Sequence, residues 1–318
     1  MTFVLLAAGL VLLLGGGEAL VRGAVAVARR LGVSPVVAGL VIVGFGTSSP
    51  ELVTSLTAAL ADAPALAVGN VVGSNICNIL LILGVTAALF PVDIDRRAFL
   101  RDGGVLAGAT ALAVAVVLVG TVTRPVGLVL VAAVVVYVVY TYRAERRAHG
   151  PAEVVYSEEA ELKAGPTLGL WAGLGVALAG LVAVVVGADL LVDAATTLAR
   201  AAGVSEAVIG LTVVALGTSL PELATAVMAG LKKQTEVAFG NVVGSNIFNI
   251  LFILGSTAVV TPLAVPPEII RFDVWVMLAA TVALFVVVVS GFRITRREGV
   301  ALLAAYALYV GVLARASL

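Results

Sequence analysis

Apolar runs of helical length alternate along this chain with short polar breaks. At about 20 predominantly apolar residues per membrane span, the pattern predicts ten helices, over residues 2–28, 34–60, 66–89, 98–119, 124–142, 168–200, 205–231, 236–259, 272–291 and 297–316. The breaks of the first half fall at Arg29-Arg30 with Gly32 and Pro35, at Asp62-Ala63-Pro64, from Pro91 to Asp102, at Arg124-Pro125, and along the polar stretch 143–166. Those of the second half fall at Gly203, at Lys232-Lys233, from Pro262 to Asp273, and from Arg293 to Gly299, where glycine, proline and charge punctuate the pattern. The first run looks like the apolar part of a signal peptide. It lacks a basic leader and a short polar cleavage region, so it counts as the first transmembrane helix.

Composition agrees with that reading. Hydrophobic residues make up 61% of the chain and charged residues 12%, against roughly a quarter charged in soluble domains. The fold class expected is an all-α integral membrane protein. Acids and bases balance at 19 each, so no basic field argues for nucleic acid, and no zinc or phosphate-loop motif appears. The single cysteine, Cys77, has no internal disulfide partner; it reads as a small helix-packing residue.

Polar residues inside apolar runs are the informative exceptions. Gly217, Thr218, Ser219, Leu220, Pro221 and Glu222 stand together within one predicted span. A carboxylate, two hydroxyls and a proline at bilayer depth mark a functional site. Pro221 has no N–H and clashes with the carbonyl four residues back, so the helix is expected to kink and to free backbone oxygens. Thr218 and Ser219 precede Glu222 by four and three positions, which predicts a hydroxyl beside the carboxylate on one helical face. Hard oxygens around a charge point to a hard cation.

The same stretch occurs twice. Adding 171 carries Gly46-Thr47-Ser48 onto Gly217-Thr218-Ser219, Pro50-Glu51 onto Pro221-Glu222, and the run from Gly69 to Ile76 onto that from Gly240 to Ile247. Asn78 answers Asn249, Gly84 answers Gly255, and Glu18 answers Asp189. The two GTSxPE segments, each followed by GNVVGSNIxNIL, resemble the alpha-repeats of the sodium/calcium exchanger family within the calcium:cation antiporters, in a prokaryotic form.

The organisation expected is two five-helix repeats, residues 1–142 and 168–318, joined by a short linker over 143–167. Five spans per repeat is an odd number, so the second repeat should cross the membrane upside down. The distribution of lysine and arginine agrees. Arg29, Arg30, Arg96, Arg97, Arg101, Arg143, Arg146, Arg147, Lys163, Lys232, Lys233, Arg293, Arg296 and Arg297 fall in one set of alternate loops. The positive-inside rule puts that set and the linker in the cytoplasm and both termini outside, in a plasma or inner membrane. Inverted repeats place the substrate site near the midplane, where they meet.

The convergent donors are Thr47, Ser48 and Glu51 with Ser74 and Asn78 from the first repeat, and Thr218, Ser219 and Glu222 with Ser245 and Asn249 from the second. Two carboxylates among hydroxyl, amide and carbonyl oxygens suit calcium, which takes six to eight oxygens at about 2.3–2.6 Å. Two sodium ions satisfy the same charge. Taken singly, the hydroxyls could instead bond to their own helices and the amides glue helices together. Glu51 and Glu222 resist that reading, because a carboxylate at the bilayer centre costs about 3 kcal/mol and no base lies in the same segments. Asn75 and Asn246 sit one position off the donor face and read as packing or capping residues. The resemblance further implies backbone carbonyl ligands one turn before each threonine, here Gly44 and Ala215, and a sliding movement of the first and sixth helices.

Outside this set, Glu18 and Arg22 form an i, i+4 pair, read as a local ion pair, while Asp189 and Asp193 lack a local base and read as vestibule residues. The sequence departs from the family pattern at Asn249, where relatives often carry aspartate, and that argues against potassium dependence. It has no large regulatory insert in the linker. The function expected is secondary exchange of Na+ for Ca2+ by alternating access, exporting calcium. A proton-coupled calcium antiporter and a passive cation channel are the alternatives; an enzyme is disfavoured for want of a nucleophile, base or metal triad. Expected partners are Ca2+, Na+ and membrane lipid, with no cofactor, no nucleic acid and no obligate protein partner.

Overall fold

A computed structural model describes residues 2–33, 37–148, 168–201 and 215–316. Most of the expected linker, at 149–167, and the start of the seventh expected helix, at 205–214, lie outside the described residues.

Among the described residues eight helices are long and apolar enough to cross a membrane. They are α1 (Thr2–Leu31), α4 (Pro64–Leu89), α5 (Arg96–Leu118), α6 (Arg124–Ala148), α7 (Leu170–Ala201), α10 (Thr235–Val260), α11 (Ile269–Val289) and α12 (Arg296–Ala316). The second and seventh expected spans are broken. The second comprises α2 (38–47), a π-helical turn Ala38–Val43 leading into Gly44–Thr47, and then α3 (Ser49–Leu60). The seventh comprises α8 (Ala215–Gly217) and α9 (Leu220–Leu231). A kink at proline was expected; the structure instead ends one helix and begins another just before it. Ser48 (φ −80°, ψ 6°) and Ser219 (φ −91°, ψ 3°) take non-helical dihedrals, and Pro50 and Pro221 fall in the first turn of α3 and α9. That is where a missing N–H costs nothing and a fixed φ helps the helix start. α6 also runs six residues past its expected end.

The repeat is visible in the packing. α1 and α7, the first helix of each half, lie antiparallel with glycines at their crossings. A Cβ on Gly16 would stand 2.7 Å from the backbone N of Val184, and one on Gly180 2.3 Å from that of Leu20. Only hydrogen fits there, and backbones this close gain the dispersion contacts that hold helices together in lipid. Two short antiparallel ladders tie the halves to each other: β1 (Val92–Asp93) pairs with β4 (Arg293–Ile294), and β2 (Thr121–Val122) with β3 (Leu263–Ala264). β1 at the C-terminal end of α4 packs on α10, while β3 at the C-terminal end of α10 packs on α4. α4 and α10 are therefore antiparallel, as inverted repeats require. Thr110 and Thr281, equivalent residues 171 apart, share a hydrogen bond of 3.3 Å, which sets them on the pseudo-twofold axis. Tyr137 and Tyr309 donate to Asp102 and Asp273 at 3.0 and 2.9 Å, one equivalent clamp per repeat, tying α6 to α5 and α12 to α11.

The backbone repeats even where the sequence does not. Asp62 and Lys233 both sit at φ 58°, and Phe292 (φ 52°) takes the left-handed position that Gly120 (φ 83°) occupies in the other half. α4 and α10 form the buried centre, and both carry a π-helical turn that begins at an asparagine of the repeat, Asn78–Ile82 and Asn249–Ile253.

Candidate ion-binding site

The two helix breaks face each other at the centre of the molecule. Glu51 and Glu222 each lie in the first turn of the half-helix that follows the break, where the positive end of the backbone dipole favours an anion. Each is 1% exposed, and the two are near enough to repel. Among the described residues no lysine or arginine pairs with either, and each keeps an unpartnered Oε2.

Hydroxyls come to the carboxylates from other helices, most of them across the repeat boundary. Ser48 Oγ donates to Glu222 Oε1 at 3.2 Å, and Thr47 and Ser245 also stand against Glu222. Ser219 lies beside Glu51 with its Oγ unpaired. The expected same-helix pairing of Thr218 or Ser219 with Glu222 is thus corrected. A break between the hydroxyls and the glutamate ends the i, i+4 geometry and turns the hydroxyls toward the other repeat. Thr218 instead lines an open cleft.

The helix behind each glutamate completes the enclosure. Ser74, Asn78, Ser245 and Asn249 are all buried. Ser245 Oγ donates to the Gly44 carbonyl at 3.3 Å, which also accepts from the backbone N of Ser48. Ala215 opens α8. Asn249 has neither side-chain atom paired, and Asn78 donates to Asn246 Oδ1 at 3.3 Å while its own Oδ1 stays unpaired. Asn75 bonds back to Val71 O at 2.7 Å. Asn75 thus bonds within its own helix, whereas Asn246 accepts from the facing helix.

Buried oxygens without partners are rare, since each costs about 1–3 kcal/mol. Here Glu51, Glu222, Asn78, Asn249 and Ser219 all present one. Among the described residues no group of three or more His, Cys, Asp or Glu side chains that could hold a metal forms; what the breaks bring together is two carboxylates among hydroxyl and amide oxygens.

A model of the family described as sodium/calcium exchanger protein matches residues 1–143 and 172–315. The chain belongs to that family. It is 32% identical over 342 residues to the sodium/calcium exchanger MaX1 of Methanosarcina acetivorans, covering 98% of each. It is 36% identical over 283 residues to the inner membrane protein YrbG of Escherichia coli, covering 87% of this chain and 86% of that one. Among solved structures it superposes on the sodium-calcium exchanger NCX_Mj with TM-score 0.83 and 30% identity, covering 98% of each chain. The family membership, the nearly all-helical membrane architecture and the resemblance drawn from the duplicated motif therefore agree.

Two features of this exchanger-family site escape the sequence pattern. Asn70 and Asn241 clamp the glutamate-bearing turns from behind. Asn70 Nδ2 donates to Glu51 O at 3.0 Å and Ser55 Oγ at 2.9 Å. Asn241 Nδ2 donates to Glu222 O at 3.2 Å and Thr225 Oγ1 at 3.1 Å, and its Oδ1 accepts from Thr47 at 3.2 Å. The signal was present, because Asn70, Ser74 and Asn78 run at i, i+4 and i+8 along one face. The second feature is the partner of Glu18. Besides the attraction of the expected partner Arg22, Glu18 forms an ion pair with Lys232, 214 residues away, because α1 packs along α9. Asp189 and Asp193 do line a cleft, of about 500 Å³ between α7 and α3, together with Pro50, Thr54, Thr218 and Pro221.

Proposed function

We propose that this chain exchanges Na+ for Ca2+ across a plasma or inner membrane by alternating access, and in the cell exports calcium. The observation that carries the reading is the pair Glu51 and Glu222, fully buried, close together, and each with an oxygen that no protein group satisfies. Two carboxylates neutralise one Ca2+ or two Na+, so either load is charge-balanced and the two compete. Competition at one site is what couples their opposed movement. Thr47, Ser48, Ser74, Asn78, Thr218, Ser219, Ser245 and Asn249, with the carbonyls of Gly44 and Ala215, supply the neutral oxygens. Such a flexible set of neutral oxygens suits calcium better than magnesium, which demands a near-ideal octahedron and retains waters.

The distribution of positive charge supports an arrangement in which Lys232 and Lys233 face the cytoplasm, both termini face outside, and 143–167 is cytoplasmic. The cleft beside Thr218 then opens outward. Calcium uptake into proteoliposomes under an imposed Na+ gradient or an imposed H+ gradient tests the reading. Uptake driven by Na+ efflux supports it. Uptake driven only by the proton gradient makes the chain a proton-coupled antiporter, and flux independent of counter-ion makes it a channel.

A further inference from the structure

The two halves share one fold, yet only one of two equivalent faces is open. On the closed face α1 packs on α9: a Cβ on Gly17 would lie 3.2 Å from Met228 Cγ and 3.4 Å from the Ala224 backbone. The repeat carries Gly17 onto Ala188 and Ala224 back onto Val53. Those two residues line the cleft of about 500 Å³ between α7 and α3. What touches on one face is held apart on the other.

Charge does not follow the repeat. On the closed face Glu18 pairs with Lys232, with side chains 46% and 48% exposed, and Arg22 is near enough to attract Glu18 as well. The equivalents on the open face are Asp189 for Glu18, Asp193 for Arg22, Ala61 for Lys232 and Asp62 for Lys233. Closing that face as its counterpart is closed would bring Asp189 and Asp193 toward Asp62 with no base at the positions equivalent to Arg22, Lys232 and Lys233.

We propose that the Glu18–Lys232 ion pair is a latch that biases the ion-free protein toward the state with the α7/α3 cleft open. The inference rests on the exchange reading, since it takes the two faces to open in turn. Inverted repeats generate the second state when the halves exchange conformations. An interaction made in only one state shifts the ratio of the two by its own free energy, and one made in both shifts nothing. An exposed ion pair of this kind changes the ratio roughly 1.5- to 5-fold.

The test counts the minor state. In a Cys77→Ser background, Val21→Cys on α1 places a thiol at a position 2% exposed, whose equivalent, Val192, lines the open cleft. The change replaces two methyl groups by one sulfur and so does not crowd the packing. Its rate of reaction with a membrane-impermeant thiol reagent, in vesicles free of Na+ and Ca2+, measures how often the closed face opens. Glu18→Gln and Lys232→Gln should each raise that rate roughly 1.5- to 5-fold. The double variant should rise no further than either single one, because a single pair is being removed. Ala61→Lys, at an exposed position, gives the open face a base opposite Asp189 and should raise the rate too. Unchanged rates, a double variant equal to the product of the singles, or slower labelling in Ala61→Lys each overturn the latch. If the Glu18 or Lys232 variants fail to fold, Ala61→Lys decides alone. Labelling does not depend on transport, so failure of the exchange reading would show in flux while these rates stood.

Discussion

Ser48 of the first repeat donates to Glu222 of the second at 3.2 Å, whereas Ser219, its equivalent, stands by Glu51 with its hydroxyl unpaired. Glu222 is thus held by a hydroxyl of the opposite repeat through a bond that its counterpart does not match. Ser48→Ala should weaken calcium binding about tenfold, from loss of a hydrogen bond to a charged acceptor, and should also lower thermal stability. Ser219→Ala removes no protein–protein bond, so it should weaken calcium binding and leave stability of the ion-free protein unchanged. Calorimetric calcium titrations and thermal unfolding of both variants in detergent separate the cases. Equal destabilisation by both would mean the tether has no energetic content.

The carboxylates themselves give the strongest expectation. Glu51→Gln and Glu222→Gln should each abolish calcium uptake into proteoliposomes while expression and thermal stability hold, because no lysine or arginine among the described residues pairs with the charge removed and the amide keeps an oxygen that can accept from Ser48. Uptake at near the parental rate by either variant would remove that residue from the ligand set.

Topology follows from equivalent residues with unlike surroundings. Asp62 and Lys233 share φ 58° and both are exposed. In a Cys77→Ser background, Asp62→Cys should react with an impermeant reagent from outside the cell and Lys233→Cys only after the inner face is exposed. Reaction of both from one side would contradict the inverted orientation.

Much of this was legible because membrane burial makes polar exceptions conspicuous. Glu51 and Glu222 stand out since nothing nearby could neutralise them, and Pro50 and Pro221 mark the helix breaks. What could not be read is the interlock. Which hydroxyl meets which carboxylate depends on how the halves dock, so Ser48 reaches Glu222 and not Glu51. The π-helical turns beginning at Asn78 and Asn249 insert an extra residue per turn, which spoils an i, i+4 reading beyond those positions. Glu18 has a plausible base four residues away in Arg22, and only the packing of α1 along α9 brings Lys232 to it. Asn70 and Asn241 were visible as part of the repeat, but their task is to hold backbone, which leaves no charge signature.

The α1/α7 crossing offers a paired control. A Cβ on Gly16 would meet the backbone N of Val184 at 2.7 Å and Gly180 O at 2.9 Å, whereas one on Gly15 meets nothing within 4 Å. Backbone cannot yield as a side-chain tip does. Gly16→Val should therefore reduce the yield of folded protein and abolish transport, while Gly15→Val is silent in both. Size-exclusion profiles with flux measurements check this, and a silent Gly16→Val would mean that α1 and α7 stand further apart than the structure has them.

The resemblance implies an aspartate where this chain has Asn249, whose side chain is buried with both polar atoms unpaired. With Glu51 and Glu222 ionised the site carries two negative charges. One Ca2+ or two Na+ leaves it neutral, whereas a third Na+ would leave an uncompensated charge in a low-dielectric cavity, which costs several kcal/mol. An amide cannot change that balance, because it does not titrate. Asn249→Asp introduces a group that does, so a third Na+ becomes possible whenever the new carboxyl is ionised and is excluded whenever it is protonated. Sodium binding by the variant should then depend more steeply on pH than in the parent, and its sodium dependence should steepen at the alkaline end. Calorimetric sodium titrations of both proteins over roughly pH 6–9, where bound cations and neighbouring carboxylates compete for control of such a group, provide the measurement. Identical pH profiles would place position 249 outside the ion cage and give Asn249 a helix-packing role.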